Sequence, residues 1–224
     1  MKASITIPDN INEISLGQYQ KFLSVADGLE GEFLNQRTVE IFCQVPFNRV
    51  ILMKRKDVKE IAEHITALIG GKAEFVHRFK IKTQEFGFMP DMEEMTSGEF
   101  ADLTAYIGKE ENLHKAMAVM FRPITTTYKD KYDISEYNGS KEFGDLMKFM
   151  PLGVALGAMV FFYNLTSDLL NATQHSILAE AVREISAEQH NLVKSGGSTK
   201  TSTHSLKEIL DDLIKLQPSV YMNV

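Results

Sequence analysis

The chain has 224 residues, with 24 Lys+Arg against 30 Asp+Glu for a formal net charge of -6, and 44% hydrophobic side chains. That length and apolar content suffice for one large domain or two small ones, with no metal or disulfide needed to staple the core. Basic residues are spread along the chain rather than gathered into the concentrated face that phosphate neutralisation needs, so no nucleic-acid partner is expected.

The single cysteine, Cys43, lies in the apolar run VEIFC and reads as a small buried hydrophobe in a reducing compartment. The start MKASITIPDN has no charged segment leading into an apolar stretch, so no secretory signal is expected. The longest apolar stretch, Leu152 to Tyr163, falls short of the roughly 20 residues that cross a bilayer. It reads as a buried helix, and no membrane partner is expected.

Two segments follow one plan, ITIPDNINEISLGQYQKFL (Ile5 to Leu23) and FGFMPDMEEMTSGEFADLT (Phe86 to Thr104). Each opens with a short alternating strand, passes through Pro-Asp (Pro8-Asp9 or Pro90-Asp91), and reaches a capping box at a helix start. In the first, Ser15 pairs with Gln18 and Ile14 staples onto Tyr19; in the second, Thr96 pairs with Glu99 and Met95 with Phe100. Each is followed by a second apolar helix ending near a proline, Pro46 or Pro123. The candidate repeat is thus strand, loop, helix, helix, over residues 1–71 and 72–127, with chance similarity as the alternative.

The stretch DVKEIAEHITALIGG predicts an amphipathic helix capped by Asp57 and stopped by Gly70-Gly71, with Val58, Ile61, Ala62, Ile65, Leu68 and Ile69 on its apolar face. The basic patch Lys54-Arg55-Lys56 with Lys59 reads as its solvated entrance. Alternation from Phe75 to Met89 predicts a β-hairpin turning near Thr83-Gln84, which the Ile5 to Ile7 strand could join.

After a polar stretch, Tyr128 to Ser140, a helix is predicted near Lys141 and a longer one from Pro151, the expected hydrophobic centre. Gly153 and Gly157, four apart on it, would admit a close-packed backbone. The C-terminal helical part spans 141–194, and the body as a whole 1–194. Residues 195–204 read as a flexible Gly/Ser/Thr linker.

Residues 205–217 then predict an amphipathic helix capped by Ser205, with Leu206, Ile209, Leu210, Leu213 and Ile214 in one stripe. So short a helix is marginal alone, so the stripe must dock on the chain's own body, a sister copy or a partner. These five residues are the candidate partner-binding set.

Glu111 and His114 form one E-x-x-H, the spacing of carboxylate-bridged metal bundles, but such a site needs two motifs. Glu60 with His64 and Glu188 with His190 have the wrong spacing, so no metal site is expected. Phosphate-loop, dinucleotide, zinc-protease and nucleophile-elbow motifs do not occur in the sequence, so neither cofactor nor catalytic residues are expected. The carboxylates Asp91, Glu93, Glu94, Glu99 and Asp102 sit where acidic groups favour a helix start. Eleven methionines fit core filling, with adaptable interfaces as the alternative use.

The order of phrases I-T-I-P-D, I-S-L-G-Q-Y-Q-K-F, F-G-F-M-P-D-M-E-E-M, L-H-K-A-M-A-V-M-F-R-P-I and M-P-L-G-V-A-L-G-A-M-V-F-F-Y-N-L resembles a family of tailed-bacteriophage proteins, over roughly Met1 to Leu170. The resemblance implies a non-enzymatic, protein-binding role in tail morphogenesis, as a tail assembly chaperone, or else as a head-tail adaptor or ring protein of the virion. It implies phage structural partners (tape-measure or tail tube, or portal and neck neighbours), with a homo-oligomer open. The expected compartment is the host cytoplasm during assembly, or the virion. The expected fold is α+β, predominantly α-helical, with a small antiparallel sheet.

Overall fold

The computed structural model describes residues 5–129 and 131–165. The chain forms two compact units that meet in sequence between Asn164 and Leu165. The expected linker 195–204, the helix 205–217 with its stripe Leu206, Ile209, Leu210, Leu213 and Ile214, and the helical continuation to Lys194 lie outside the described residues.

The fold is α+β and mainly helical, with four antiparallel strands in the order β1-β2-β3-β4. A 3-10 turn, Ile11–Glu13, leads into α1 (Leu16–Ala26), α2 (Gly31–Phe42), the short α3 (Phe47–Val50) and α4 (Arg55–Ile69). The hairpin β1 (Arg78–Ile81) and β2 (Gln84–Phe88) follows, then α5 (Ser97–Ile107) and α6 (Leu113–Met120). A second hairpin, β3 (Phe121–Tyr128) and β4 (Lys131–Ile134), precedes α7 (Gly144–Met147) and α8, described over 152–165.

Both capping boxes form. Gln18 N–H donates to Ser15 Oγ at 3.2 Å while Ser15 N–H donates to Gln18 Oε1 at 2.9 Å. Thr96 and Glu99 repeat the exchange at 3.2 and 2.7 Å. Each box satisfies a helix-start amide that would otherwise be orphaned. The staples differ, because Ile14 is fully buried whereas Phe100 stays largely in solvent.

On α4, Val58, Ala62 and Ile65 are buried and Ile61 and Ile69 pack beside them, as the apolar face predicts. Its N-cap is Lys54 rather than Asp57, which lies in the first turn where its charge favours the helix dipole. The basic entrance is solvated: Arg55 pairs with Glu32, and Lys56 and Lys59 reach Glu60 and Glu63 one turn on.

The first hairpin turns at Lys82-Thr83, one residue earlier than expected, with Ile81 opposite Gln84 and Lys82 at φ 54. Three further expectations are corrected. Residues Ile5 to Ile7 form no strand; Ile5 and Ile7 pack on the core, and the Pro8 carbonyl accepts from His64 Nε2 at 2.9 Å. Pro123 does not end a helix-helix unit but lies inside β3 opposite Phe86, so the second copy runs from α6 straight into a hairpin. Strand β4 of that hairpin lies in the first half of the polar stretch Tyr128 to Ser140. The helix expected near Lys141 is the single turn α7, starting at Gly144.

Helix α8 contributes Leu152, Val154, Ala155 and Ala158 to the core as expected, but α6 is the more completely buried helix. Leu113, His114 and every residue from Ala116 to Met120 are buried, so this helix is covered all round, whereas Val160 and Tyr163 of α8 face outward. Aromatic rings from the sheet complete the core: Phe121 meets Phe79 at 5.1 Å and Phe88 at 5.2 Å edge-on, and Phe75 stacks on Phe161 of α8 at 4.2 Å. Of the two α8 glycines, Gly157 admits a backbone as expected, whereas Gly153 admits the side chains of Asn12 and Ile11. A Cβ on Gly157 would lie 2.2 Å from the Glu74 carbonyl, and one on Gly153 would lie 2.4 Å from Asn12 Oδ1.

Candidate functional site

A cleft of about 920 Å³ opens between the chain leaving β2, the start of α5 and strand β4. Its walls carry Arg78, Arg122 and Lys131 against Asp91, Glu94, Glu99 and Asp133, three cations facing four carboxylates. Interleaved charges of near-zero sum do not focus a field that would draw in a strongly charged small molecule.

At the back of the cleft, Arg122 and Glu99 form a buried ion pair, Nη1 to Oε1 at 2.9 Å. The other Glu99 oxygen accepts from both the amide and the hydroxyl of Thr96, each at 2.7 Å. A carboxylate with both oxygens so engaged serves the helix start and the pair rather than acting as a base. The Arg122 guanidinium also lies 5.8 Å from the ring centre of Tyr137, whose hydroxyl donates to Asp102. Burial, with Asp102 adding to it, raises the Tyr137 pKa well above the ordinary phenol range. The expected acidic cluster is thereby split: Glu99 and Asp102 fasten α5 to β3 and to the chain after β4, while Asp91, Glu93 and Glu94 remain exposed.

Tyr132 of β4 crosses the sheet to close the other wall. Its hydroxyl donates to the carbonyls of Phe88 (2.6 Å) and His77 (3.2 Å), and Arg78 lies 4.5 Å from its ring centre. The ring covers Gly87 so closely that a Cβ there would fall 2.3 Å from Tyr132 Cε2. Glycine at that position is what lets one hairpin lie on the other.

Glu111 and His114 do not come together as a ligand pair. Glu111 is exposed, whereas His114 is buried with Nδ1 3.1 Å from Gln20 Nε2. The same Gln20 Nε2 donates to the Glu110 carbonyl at 2.7 Å, which fixes the amide orientation, because its oxygen would be repelled there. Nδ1 must therefore accept, and His114 is neutral with its proton on Nε2. Burial lowers its pKa, with Lys148 and Lys115 pushing the same way against the weaker influence of Asp145. Among the described residues no group of three His, Cys, Asp or Glu side chains is placed to hold a metal ion. Burial raises the Cys43 thiol to about 11, so it is a poor nucleophile.

Sequence reasoning missed Arg122, Tyr132 and Tyr137. For Arg122 a signal was present: a lone cation closing the apolar run of α6 must be paired if it is buried.

Several large apolar side chains point into solvent instead, notably Leu52 (83% exposed), Phe149 (67%) and Phe33 (64%). No helix among the described residues is long and apolar enough to cross a membrane. Comparison with protein-family models, curated proteins and solved structures finds no match.

Proposed function

We propose that this chain is a non-enzymatic protein-binding factor of bacteriophage tail morphogenesis, acting as a tail assembly chaperone. The observation that carries the reading is a division of labour. The groups best suited to chemistry, Glu99, Asp102 and His114, are each held in a bond that fastens two elements together. Bulky apolar side chains such as Leu52 and Phe149 meanwhile remain at the surface, where they are available to other protein surfaces. The phage assignment rests on the resemblance of the five sequence phrases.

In this role the chain would keep a long, apolar tape-measure protein soluble while tube subunits polymerise around it. The stripe Leu206, Ile209, Leu210, Leu213 and Ile214 is the proposed contact set. The test is co-purification of the tape-measure protein with wild type and with the Leu210→Asp/Leu213→Asp double variant. Capture by wild type, lost in the variant while its circular dichroism is unchanged, is the expected outcome. Equal capture by both removes the stripe from the account.

A further inference from the structure

Asn138 is the only asparagine in the sequence that is followed by a glycine, Gly139. The pair lies in the irregular stretch between β4 and α7, and its neighbours on both sides are fastened. On one side the Tyr137 hydroxyl donates to Asp102. On the other, Ser140 is buried and its carbonyl accepts from Gly144 N–H at 2.8 Å. Asn138 itself is exposed, and neither its side chain nor the N–H of Gly139 has a hydrogen-bond partner among the described residues. Gly139 sits at φ 93, and a Cβ there would meet nothing within 4 Å, so its backbone nitrogen is unobstructed.

The other asparagines among the described residues are placed differently. Asn35 and Asn48 lie inside α2 and α3, where the helix restrains the main chain. Asn10 and Asn112 commit their side-chain oxygens, to Asn12 N–H at 2.8 Å and to Lys115 Nζ at 2.9 Å. All four, like Asn12 and Asn164, precede a residue whose side chain crowds the next amide nitrogen.

An asparagine carboxamide and the amide nitrogen one residue on are the two reactants of an intramolecular acyl transfer, held together by the chain itself. The Gly139 nitrogen gives up its proton to hydroxide and bonds to Asn138 Cγ, the Cγ–Nδ2 bond breaks, and ammonia leaves. The product is a succinimide ring. Water then opens that ring at either carbonyl, leaving an aspartyl residue or an isoaspartyl residue whose main chain runs through Cβ and Cγ. Water is the one co-reactant, and nothing is oxidised or reduced.

We propose that Asn138 is a site of spontaneous covalent modification, at which the folded chain passes through a succinimide with Gly139 to aspartyl and isoaspartyl forms. The change adds one carboxylate to a chain whose formal net charge is -6. The isoaspartyl form also lengthens the main chain between two fixed points, so strain falls on the Tyr137–Asp102 bond that ties this stretch to α5. This chemistry depends on neither the phage assignment nor the protein-binding reading.

The test holds the full chain at pH 7.5 and 37 °C for several weeks, beside a capped synthetic peptide of the sequence Tyr132 to Lys141. Samples are digested briefly with trypsin and mapped by mass spectrometry. Asn138 is the only carboxamide side chain between Tyr132 and Lys141, so the mass gain of OH replacing NH2 in that stretch reports it alone. Two chromatographically separate products are expected in the folded chain, formed at a rate within about tenfold of the free peptide, since the fold leaves the site unprotected. Asn138→Gln, which keeps Gly139 and the charge, should leave the stretch unmodified over the same period. A folded-chain rate below that range, an aspartyl product alone, or equal conversion in Asn138→Gln would each overturn the proposal.

Discussion

Replacing Glu99 separates the two tasks that its side chain performs. With Glu99 3% and Arg122 8% exposed, removal of the carboxylate leaves a guanidinium charge inside the protein with one partner fewer. Arg122 Nε already lacks a hydrogen bond, so the loss has little to fall back on. Breaking one side of such a pair costs about 3–5 kcal/mol, a large part of the 5–15 kcal/mol that holds a typical domain together. Glu99→Ala should lose that amount. Glu99→Gln should lose only about 1.5–3 kcal/mol, because an amide can still accept from Thr96, as Gln18 accepts from Ser15 in the first box. Urea denaturation followed by circular dichroism at pH 7 measures both. A cycle through Glu99→Gln, Arg122→Met and the double variant should show a coupling of about 1–3 kcal/mol. Strict additivity in the cycle would refute the coupling of the buried charge to Arg122, and equal losses in the alanine and glutamine variants would refute the contribution of the cap.

Gly157→Ala should destabilise by about 1–3 kcal/mol, since its Cβ would strike the Glu74 main chain, which a side-chain rotation cannot relieve. Gly108→Ala, with open space and no positive φ, should be neutral or stabilising in the same urea titration. His114 sets a pH dependence. Its folded-state pKa lies below the ordinary 6.5, so the unfolded chain takes up the proton first as pH falls. The stability it contributes is therefore complete above pH 6.5 and declines as pH drops through that value toward the folded pKa. Urea midpoints at pH 7.5 and 5.5 should differ more for wild type than for His114→Gln, and equal differences would count against the neutral tautomer fixed by Gln20.

Local chemistry was the most legible part of this sequence. Ser15 with Gln18, Thr96 with Glu99, the apolar face of α4 and the Phe75 to Met89 hairpin could all be read because each signal lies within a few residues of the structure it produces. The second hairpin was missed where a local rule met a tertiary override. Pro123 reads as a stop, yet it fits into β3 beside an irregularity between Ile124 and Thr126, where the ladder to β4 is interrupted. Ile5 to Ile7 alternate as a strand does, but sheet pairing is settled by partners distant in sequence, and these residues found the helical core instead. The cleft was illegible for the same reason: Arg122 meets Glu99 across 23 residues, and Tyr132 reaches Gly87 across 45.

The central claim, that this chain assists assembly by binding rather than remaining in the finished particle, is tested most directly by quantitative mass spectrometry. Purified mature particles and lysates of cells producing them would be compared, with the major capsid protein as the internal standard. The account predicts abundance in lysates together with absence from particles. A fixed, symmetric copy number in mature particles would contradict it and make the chain a permanent adaptor or ring component.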